Sequence, residues 1–392
     1  MLNGPFSPWP SYDDAEKQAV LEVMNSNQVN YWTGHQGRDF ENSFAAYTQC
    51  QHAVAVANGT VALDLAWQAL AMPAGSEVIV TPRTFLASVS SIVLAGLVPV
   101  FADVDTENQN ITADSIQAKI TPQTRAILCV HLAGWPCEMD EINQLAASHD
   151  LYVVEDCAQA HGAKYKGRSV GSLGDIAAWS FCQDKIMTTA GEGGMVTTNN
   201  KELWQKVWAF KDHGKSWSAI YEQQHPPGFR WVHDSFGTNW RMTEIQAAVG
   251  LQQLQKMPDW SLTRSHYAQQ IFATAEECLA LHVPAIPEHI QHAFYKCYVF
   301  VKPERLHQGW DRDRIIEEIN ALQVPCFSGS CSEVYNEKAF DNTDFRPVNS
   351  LTNAKVLGQV SLMFLVHPTL TQGEITLTCD AICQVLNKAS KV

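Results

Sequence analysis

The sequence is short of positive charge, of paired cysteine spacing and of long apolar runs, and each shortage removes a class of function. Lysine and arginine number 27 against 41 acidic residues, a formal charge of -14 with no basic tract, which opposes binding along a phosphate backbone. Nucleic acid is therefore not an expected partner. The most apolar segment, "SIVLAGLVPVFADV", is broken by Gly96, Pro99 and Asp103 long before it could span a bilayer, and "MLNGPFSPWPSYDDAEKQ" lacks a basic region followed by an apolar one. No membrane partner is expected, and a cytoplasmic location is. The 11 cysteines are odd in number and include no CxxC pair, so they read as small apolar residues in a reducing compartment, with neither a disulfide frame nor a metal site. Internal repeats and low-complexity segments are absent too.

What remains is a chain of 392 residues with 46% hydrophobic and 17% charged content, enough for two packed domains. From about residue 50, short Val/Ile/Leu-rich segments alternate with helical ones: "HAVAVA", a helix from Thr60 to Leu70, "SEVIVTP", a helix through "LASVSSIVLAG", "LVPVFADV", "TRAILCVHLAG", "EINQLAASH" and "LYVVEDCAQ". This succession predicts an α/β fold whose mostly parallel sheet is covered on both faces. "DIAAWSF" and "GGMVTTN" add two short strands, and "RMTEIQAAVGLQQLQKM" reads as an amphipathic helix. From Pro258 the pattern changes to a long polar helix, a strand "AFYKCYVFVK", a helix "DRDRIIEEINAL" and a closing helix near "GEITLTCDAICQVLNKA". The expected division is a large domain over 1–257 and a smaller α+β domain over 258–392, with the N-terminal segment free to pack on the latter.

Two stretches carry chemistry. "SFCQDKIMTTAGEGGM" places Lys185 between two strands, before a glycine-rich turn, which is not the setting of a solvated helical lysine. Its "GEGG" precedes a strand, whereas a dinucleotide fingerprint opens a helix. "VVEDCAQAHGA" ends a strand on Glu155 and Asp156, with Gln159 and His161 close behind, so acids emerge where a parallel sheet meets its crevice. A lysine and a carboxylate converging in one cleft suit pyridoxal phosphate: lysine forms a Schiff base, and aspartate keeps the pyridine nitrogen protonated so that the ring accepts electrons. "NGT", Asn58 to Thr60, sits between a strand and a helix and offers backbone N–H groups to a phosphate.

Seven ordered blocks, "FENSFAAY", "NGTVALDLA", "PVFADVD", "VHLAGWPCEMD", "EDCAQAHGAKYKGRSVGSLGDIAAWSF", "GEGGMVTTN" and "NWRMTEIQAAVGLQQL", resemble those of the DegT/DnrJ/EryC1/StrS sugar aminotransferases of pyridoxal phosphate fold type I. The resemblance implies that Lys185 carries the Schiff base, that Asp156 meets the pyridine nitrogen and that Gln159 lies beside the ring hydroxyl. It also implies that Phe85 stacks on the ring, that Gly59, Thr60 and Ser180 hold the phosphate, and that Asn239 reaches it from the other subunit of a homodimer. A related branch that removes sugar hydroxyls has histidine at the lysine position, so Lys185 points to transamination, with glutamate as donor. Members acting on nucleotide-linked sugars often have "PLH" where this chain reads "CFSGSCSEVYNEKAF", Cys326 to Phe340. That segment, with "TPRTF" and "SFCQDK", resembles the branch aminating the terminal carbon of the sugar acid Kdo to 8-amino-3,8-dideoxy-octulosonate, for lipopolysaccharide. A nucleotide-linked keto sugar is the alternative acceptor. An alternative of another class is a catalytically silent, pyridoxal phosphate-binding regulator. Arg83, two residues before Phe85, and Arg241 in "NWRM" are candidate forks for a substrate carboxylate. The aromatic segment 213 to 236 is a candidate sugar platform or subunit interface.

Overall fold

The structure is a computed structural model describing residues 4–391. Among the described residues, fourteen strands form three sheets. The first nine are β1 (His52–Val56), β2 (Glu77–Val80), β3 (Val98–Phe101), β4 (Thr124–Val130), β5 (Tyr152–Asp156), β6 (Lys164–Tyr165), β7 (Arg168–Ser169), β8 (Ile176–Ser180) and β9 (Gly194–Thr198). Seven of them make the central sheet in the order β1-β9-β8-β5-β4-β2-β3. From β8 to β3 the neighbours run parallel, as their unbroken apolar runs predict, while β9 runs antiparallel to both β8 and β1. The antiparallel edge follows from the Lys185 loop, which returns the chain directly from β8 into β9 without a crossover helix.

The remaining strands are β10 (Leu281–His282), β11 (Ile290–Gln291), β12 (Cys297–Val301), β13 (Cys326–Phe327) and β14 (Ser361–Phe364). Strands β10, β12, β14 and β13 form an antiparallel sheet backed by the helix Arg312–Ala321, on which the helix Gln372–Ala389 packs, the expected small α+β unit. Strand β11 joins β6 and β7 instead, so the second unit contributes an edge to the first.

The two helices expected on either side of Pro258 are one helix, Glu244–Glu276. Proline removes one backbone donor, but packing of this helix along Asp14–Ser26, Gln36–Tyr47 and Gln372–Ala389 holds it together through that position. A boundary at 257/258 thus falls inside an element shared by both units. The N-terminal segment lies between them: Ser7 donates from N and Oγ to the Glu374 carboxylate at 2.5 and 3.0 Å, and Pro8 O accepts from Thr369 Oγ1 at 2.7 Å. All eleven cysteines are free thiols. Among the described residues no helix is long and apolar enough to cross a membrane.

Candidate active site

Strands β4, β5 and β8 end on Val130, Asp156 and Ser180, and all three residues line a cavity of about 590 Å³. This is the crevice at the carboxyl ends of parallel strands. Asn58, Gly59, Thr60, Phe85, Ser88, Gln159 and Lys185 line the same cavity.

Its floor is set by Asp156, buried at the end of β5. One carboxylate oxygen accepts from Ser88 Oγ at 2.8 Å and the other from the Ala158 N–H at 3.1 Å. Ser88 shares a further bond with Thr84 Oγ1 at 2.7 Å, so a short hydroxyl chain holds the acid in place. Gln159 Oε1 accepts from the Ala133 N–H at 2.8 Å, which leaves its amide NH₂ for the cavity.

Glu155, its neighbour, does not reach the cavity, because successive strand residues face opposite ways. Its carboxylate takes His131 Nε2 at 2.9 Å and the N–H groups of Gly171, Leu173 and Gly174 at 2.7 to 2.8 Å. Burial would raise it, but His131 and these N–H groups hold the carboxyl below its ordinary range. His131, Glu155 and Cys157 cluster closely enough to suggest a metal. The Glu155 oxygens and both His131 ring nitrogens already have partners, and burial pushes the Cys157 thiol well up. His161 is enclosed by Phe44, Trp179 and Phe181, and burial, then the charges of Lys185 and Arg264, bring its imidazole down to about 3.

The opposite wall is the start of the Gly59–Leu70 helix. Asn58 caps it, its Oδ1 accepting from the Val61 N–H at 3.0 Å, so the first N–H groups are left at an end that favours negative charge. Glycine at 59 is a matter of space: a Cβ there would stand 2.5 Å from Ser180 Cβ. Gly194 meets the same constraint, since its Cβ would lie 2.3 Å from the Asn58 carbonyl oxygen. The glycine-rich turn after Lys185 therefore lets β9 close against the cap.

Lys185 stands in the loop from Ser180 to Gly194. Thr188 Oγ1 donates to Phe181 O at 2.9 Å, the Thr188 N–H donates to Gln253 Oε1 at 2.8 Å, and Trp9 Nε1 donates to the Lys185 carbonyl at 2.8 Å. A second cavity of about 410 Å³ opens beyond it, sharing Phe85, Gln159, Asp184 and Lys185 with the first and adding Tyr295, Lys296, Tyr298, Gly329, Ser330, Cys331 and Glu337 among others. Tyr295 donates to Asp184 Oδ2 at 2.5 Å. Burial would raise the Asp184 carboxyl, but Lys185, the Tyr295 hydroxyl and Lys296 hold it below its ordinary range. Phe85 is 71% exposed on the wall shared by both cavities.

Three predicted residues lie off these cavities. Arg83 is fully buried and bonds only neutral partners: Gln109 Oε1 at 2.9 Å, Ser332 Oγ at 2.8 Å and Ser361 Oγ at 2.8 Å. Its guanidinium ties β2's end to the small unit and has no free fork for a substrate. Arg241 donates to Asp212 Oδ1 at 2.6 Å. Asn239 is exposed, away from its own chain's cavity. In the aromatic segment Trp217 packs on Trp204 and Trp208, whereas Phe229, Trp231 and Phe236 are 78%, 86% and 98% exposed. None of them lines either cavity. Sequence reasoning passed over Ser88, Thr84, Asp184, Tyr295 and Lys296. Only the nearness of Thr84 and Ser88, four residues apart across the start of a helix, was there to be seen.

The DegT/DnrJ/EryC1/StrS aminotransferase family model matches residues 10–383. The chain is 45% identical over 373 residues to the GDP-perosamine synthase of Escherichia coli O157:H7, covering 95% of this chain and 96% of that one. It is 31% identical over 373 residues to the dTDP-3-amino-3,6-dideoxy-alpha-D-galactopyranose transaminase of Aneurinibacillus thermoaerophilus, with 95% of each chain covered. The X-ray structure of an aminotransferase from Psychrobacter cryohalolentis superposes with a TM-score of 0.96 at 60% identity, over 98% of this chain and 99% of that one. The chain belongs to the DegT/DnrJ/EryC1/StrS aminotransferase family, as a sugar aminotransferase whose cofactor is pyridoxal 5'-phosphate.

Proposed function

We propose that this enzyme moves an amino group from glutamate onto the keto carbon of a nucleotide-linked sugar. The observation that carries the reading is the position of Lys185 on the shared wall of two cavities, one built to hold a fixed group and one open to exchange. Relatives named for GDP- and dTDP-linked sugars support the acceptor class.

The residues present fit the cofactor. A Cβ at position 59 would fill the space beside Ser180, so the free N–H groups of Gly59 and Thr60, with the Ser180 hydroxyl, can receive a phosphate. Asp156, fixed by Ser88, would face the pyridine nitrogen, with the Gln159 amide beside the ring hydroxyl and Phe85 against the ring. When bound, pyridoxal phosphate supplies an electron sink for the carbon that loses its proton. Lys185 would anchor the cofactor, and its amine, when free, would take up and return the proton of the substrate carbon. Its loop is pinned by Trp9 and Gln253, so the amine swings on a fixed backbone.

A homodimer belongs to the same proposal. Asn239 and the exposed Phe229, Trp231 and Phe236 would then face the second copy, with Asn239 reaching the phosphate there. A second acceptor reading is the 8-oxo form of Kdo. Gly329, Ser330 and Cys331, from the segment without a histidine, line the outer cavity where an acceptor would be read.

The test is spectroscopic first. Glutamate added to the holoenzyme should convert the bound cofactor to its amino form. A panel of nucleotide-linked keto sugars and oxo-sugar acids, followed by mass spectrometry, should then return it with formation of an amino sugar. An unchanged spectrum with every amino donor would favour a silent regulator.

A further inference from the structure

We infer that the outer cavity holds a seat for a substrate carboxylate, made by Lys296 and backed by the buried guanidinium of Arg264, a step that rests on the transamination reading. Lys296 lines this cavity, and among the described residues it makes no hydrogen bond or ion pair, only a contact over the Tyr295 ring, 4.8 Å from its centroid. Lys185 stands over the same ring at 5.3 Å. The two amines are thus held near one aromatic plate, one at the reaction centre and one beyond it.

Arg264 lies behind them, 1% exposed, and no acid pairs with it among the described residues. Its Nη1 makes a long contact of 3.5 Å to Phe294 O, its Nε and Nη2 have no hydrogen-bond partner, and the group stacks over Trp9 at 5.1 Å. Its field reaches Lys296, His161 and His367. Burial, followed by the charges of Arg264 and Lys296, brings the His367 imidazole down to about 3, which leaves that ring neutral.

Against the cations of Lys296 and Arg264, the acids facing this region are Asp184, already bonded by Tyr295, and Glu337, which is exposed. Cations kept out of water without counterions are costly, and a substrate anion would complete the set. A carboxylate is the anion that fits the chemistry. The donor carries one next to its reacting amine and leaves as a keto acid before the acceptor enters, so the seat is then free for an acidic group of the acceptor, the carboxylate of a sugar acid or the diphosphate of a nucleotide-linked sugar. Arg83 and Arg241 cannot take this role, because their guanidinium groups are already engaged.

The probe is glutarate, a dicarboxylate without an amine, titrated into the holoenzyme by calorimetry for the wild type, Lys296→Met and Lys296→Arg. Glutarate affinity should fall about tenfold or more in Lys296→Met and recover in part in Lys296→Arg. The KM for glutamate should rise by a similar factor, with kcat changed less. A rise confined to the acceptor's KM would assign the seat to the acceptor's acidic group, and a rise in both would make it shared. Glutarate affinity and both KM values all within about twofold of wild type would overturn the seat. Should Lys296→Met fail to fold, Lys296→Gln carries the same readouts. Glutarate binding needs no turnover, so a wild type inert toward glutamate would sink the transamination reading while the seat remained testable.

Discussion

At its inner end the cavity is lined by backbone N–H groups and short side chains that already have partners; at its outer end it is lined by long side chains with charge left over. Asp156 is held by Ser88 and the Ala158 N–H, and Gln159 by the Ala133 N–H. Among the described residues Lys296 makes no hydrogen bond or ion pair, and Arg264 behind it keeps two nitrogens without a hydrogen-bond partner. A group that stays in place is best met by donors and acceptors fixed beforehand, since they cost no reorganisation. Substrates that come and go must instead supply what the empty site lacks. Lys185 belongs to both ends.

Removing it should therefore have the largest effect. Lys185→Ala takes away the anchor and the proton carrier but touches neither the Gly59 end nor Asp156, so kcat should fall by about 10³-fold or more. The melting temperature should stay within a few degrees, because the side chain is half-exposed and makes no hydrogen bond or ion pair among the described residues. Turnover within about tenfold of wild type would show that the two ends do not meet at this residue.

Next come the residues that fix the inner end. Asp156→Asn keeps the shape but removes the charge that would stabilise a protonated pyridine, and a loss of about 10²-fold in kcat is expected. Ser88→Ala leaves the charge and, besides its bond with Thr84, deletes one hydrogen bond to the carboxylate, worth about 1 kcal/mol, so it should cost only about fivefold. If the two variants lost equal activity, Ser88 would do more than orient the carboxylate. Steady-state rates at saturating substrate decide between them.

The inner end was also the more legible from sequence. Asp156 ends a strand, Gly59 stands at a strand-to-helix turn and Lys185 in a loop between two strands, where local patterning places side chains without knowledge of distant contacts, whereas Ser180 was named through the family resemblance. Strand alternation could have separated Glu155 from Asp156, since neighbours face opposite ways. The outer end is assembled from Asp184, Tyr295, Lys296 and Arg264, brought together only when β12 packs beside the Lys185 loop. Arg83 failed as a carboxylate fork for the same reason. Its partners Gln109, Ser332 and Ser361 come from 26, 249 and 278 residues away, and no spacing near "TPRTF" announces them. Pro258 misled in the other direction, because a local helix breaker was overruled by packing along a helix of 33 residues.

A smaller effect should follow from crowding the phosphate end. In Gly59→Ala the new methyl group would start 2.5 Å from Ser180 Cβ and 2.9 Å from its Oγ, so the helix start must shift. Overpacking of this kind costs about 1 to 3 kcal/mol, part of it drawn from the position of the first N–H groups. Cofactor affinity, followed by absorbance during reconstitution, should weaken about tenfold. Glutarate affinity of the fully loaded variant should stay near wild type, since the outer residues do not move. A parallel loss of both affinities would mean that the two ends are coupled through the Gly59 wall.

The smallest effect expected is a pH dependence confined to the outer end. Burial brings the Lys296 ammonium down to about 8; Asp184 opposes that shift, while Arg264 and Lys185 add to it. Tyr295, Tyr298, Cys331 and Glu337 also line this cavity. Tyr295 and Cys331 are pushed up by burial, and the His161, His292 and His367 rings near the site, each down to about 3, stay neutral throughout. A carboxylate in the seat needs the ammonium form, and a free amine must first take up a proton to receive it. Glutarate affinity should thus be flat well below pH 8 and decline above it, approaching tenfold per pH unit once the free site is mostly deprotonated. In Lys296→Arg the guanidinium keeps its charge, so the decline should move to higher pH, where Arg264, brought down to about 9 by its own burial, begins to titrate. Calorimetric titrations at pH 7.0, 8.0 and 8.5 keep Lys296 ahead of Arg264. An affinity that stays level across that range in the wild type would mean that the ammonium of Lys296 does not face the carboxylate, and the contrast between the two ends would then rest on Arg264 alone.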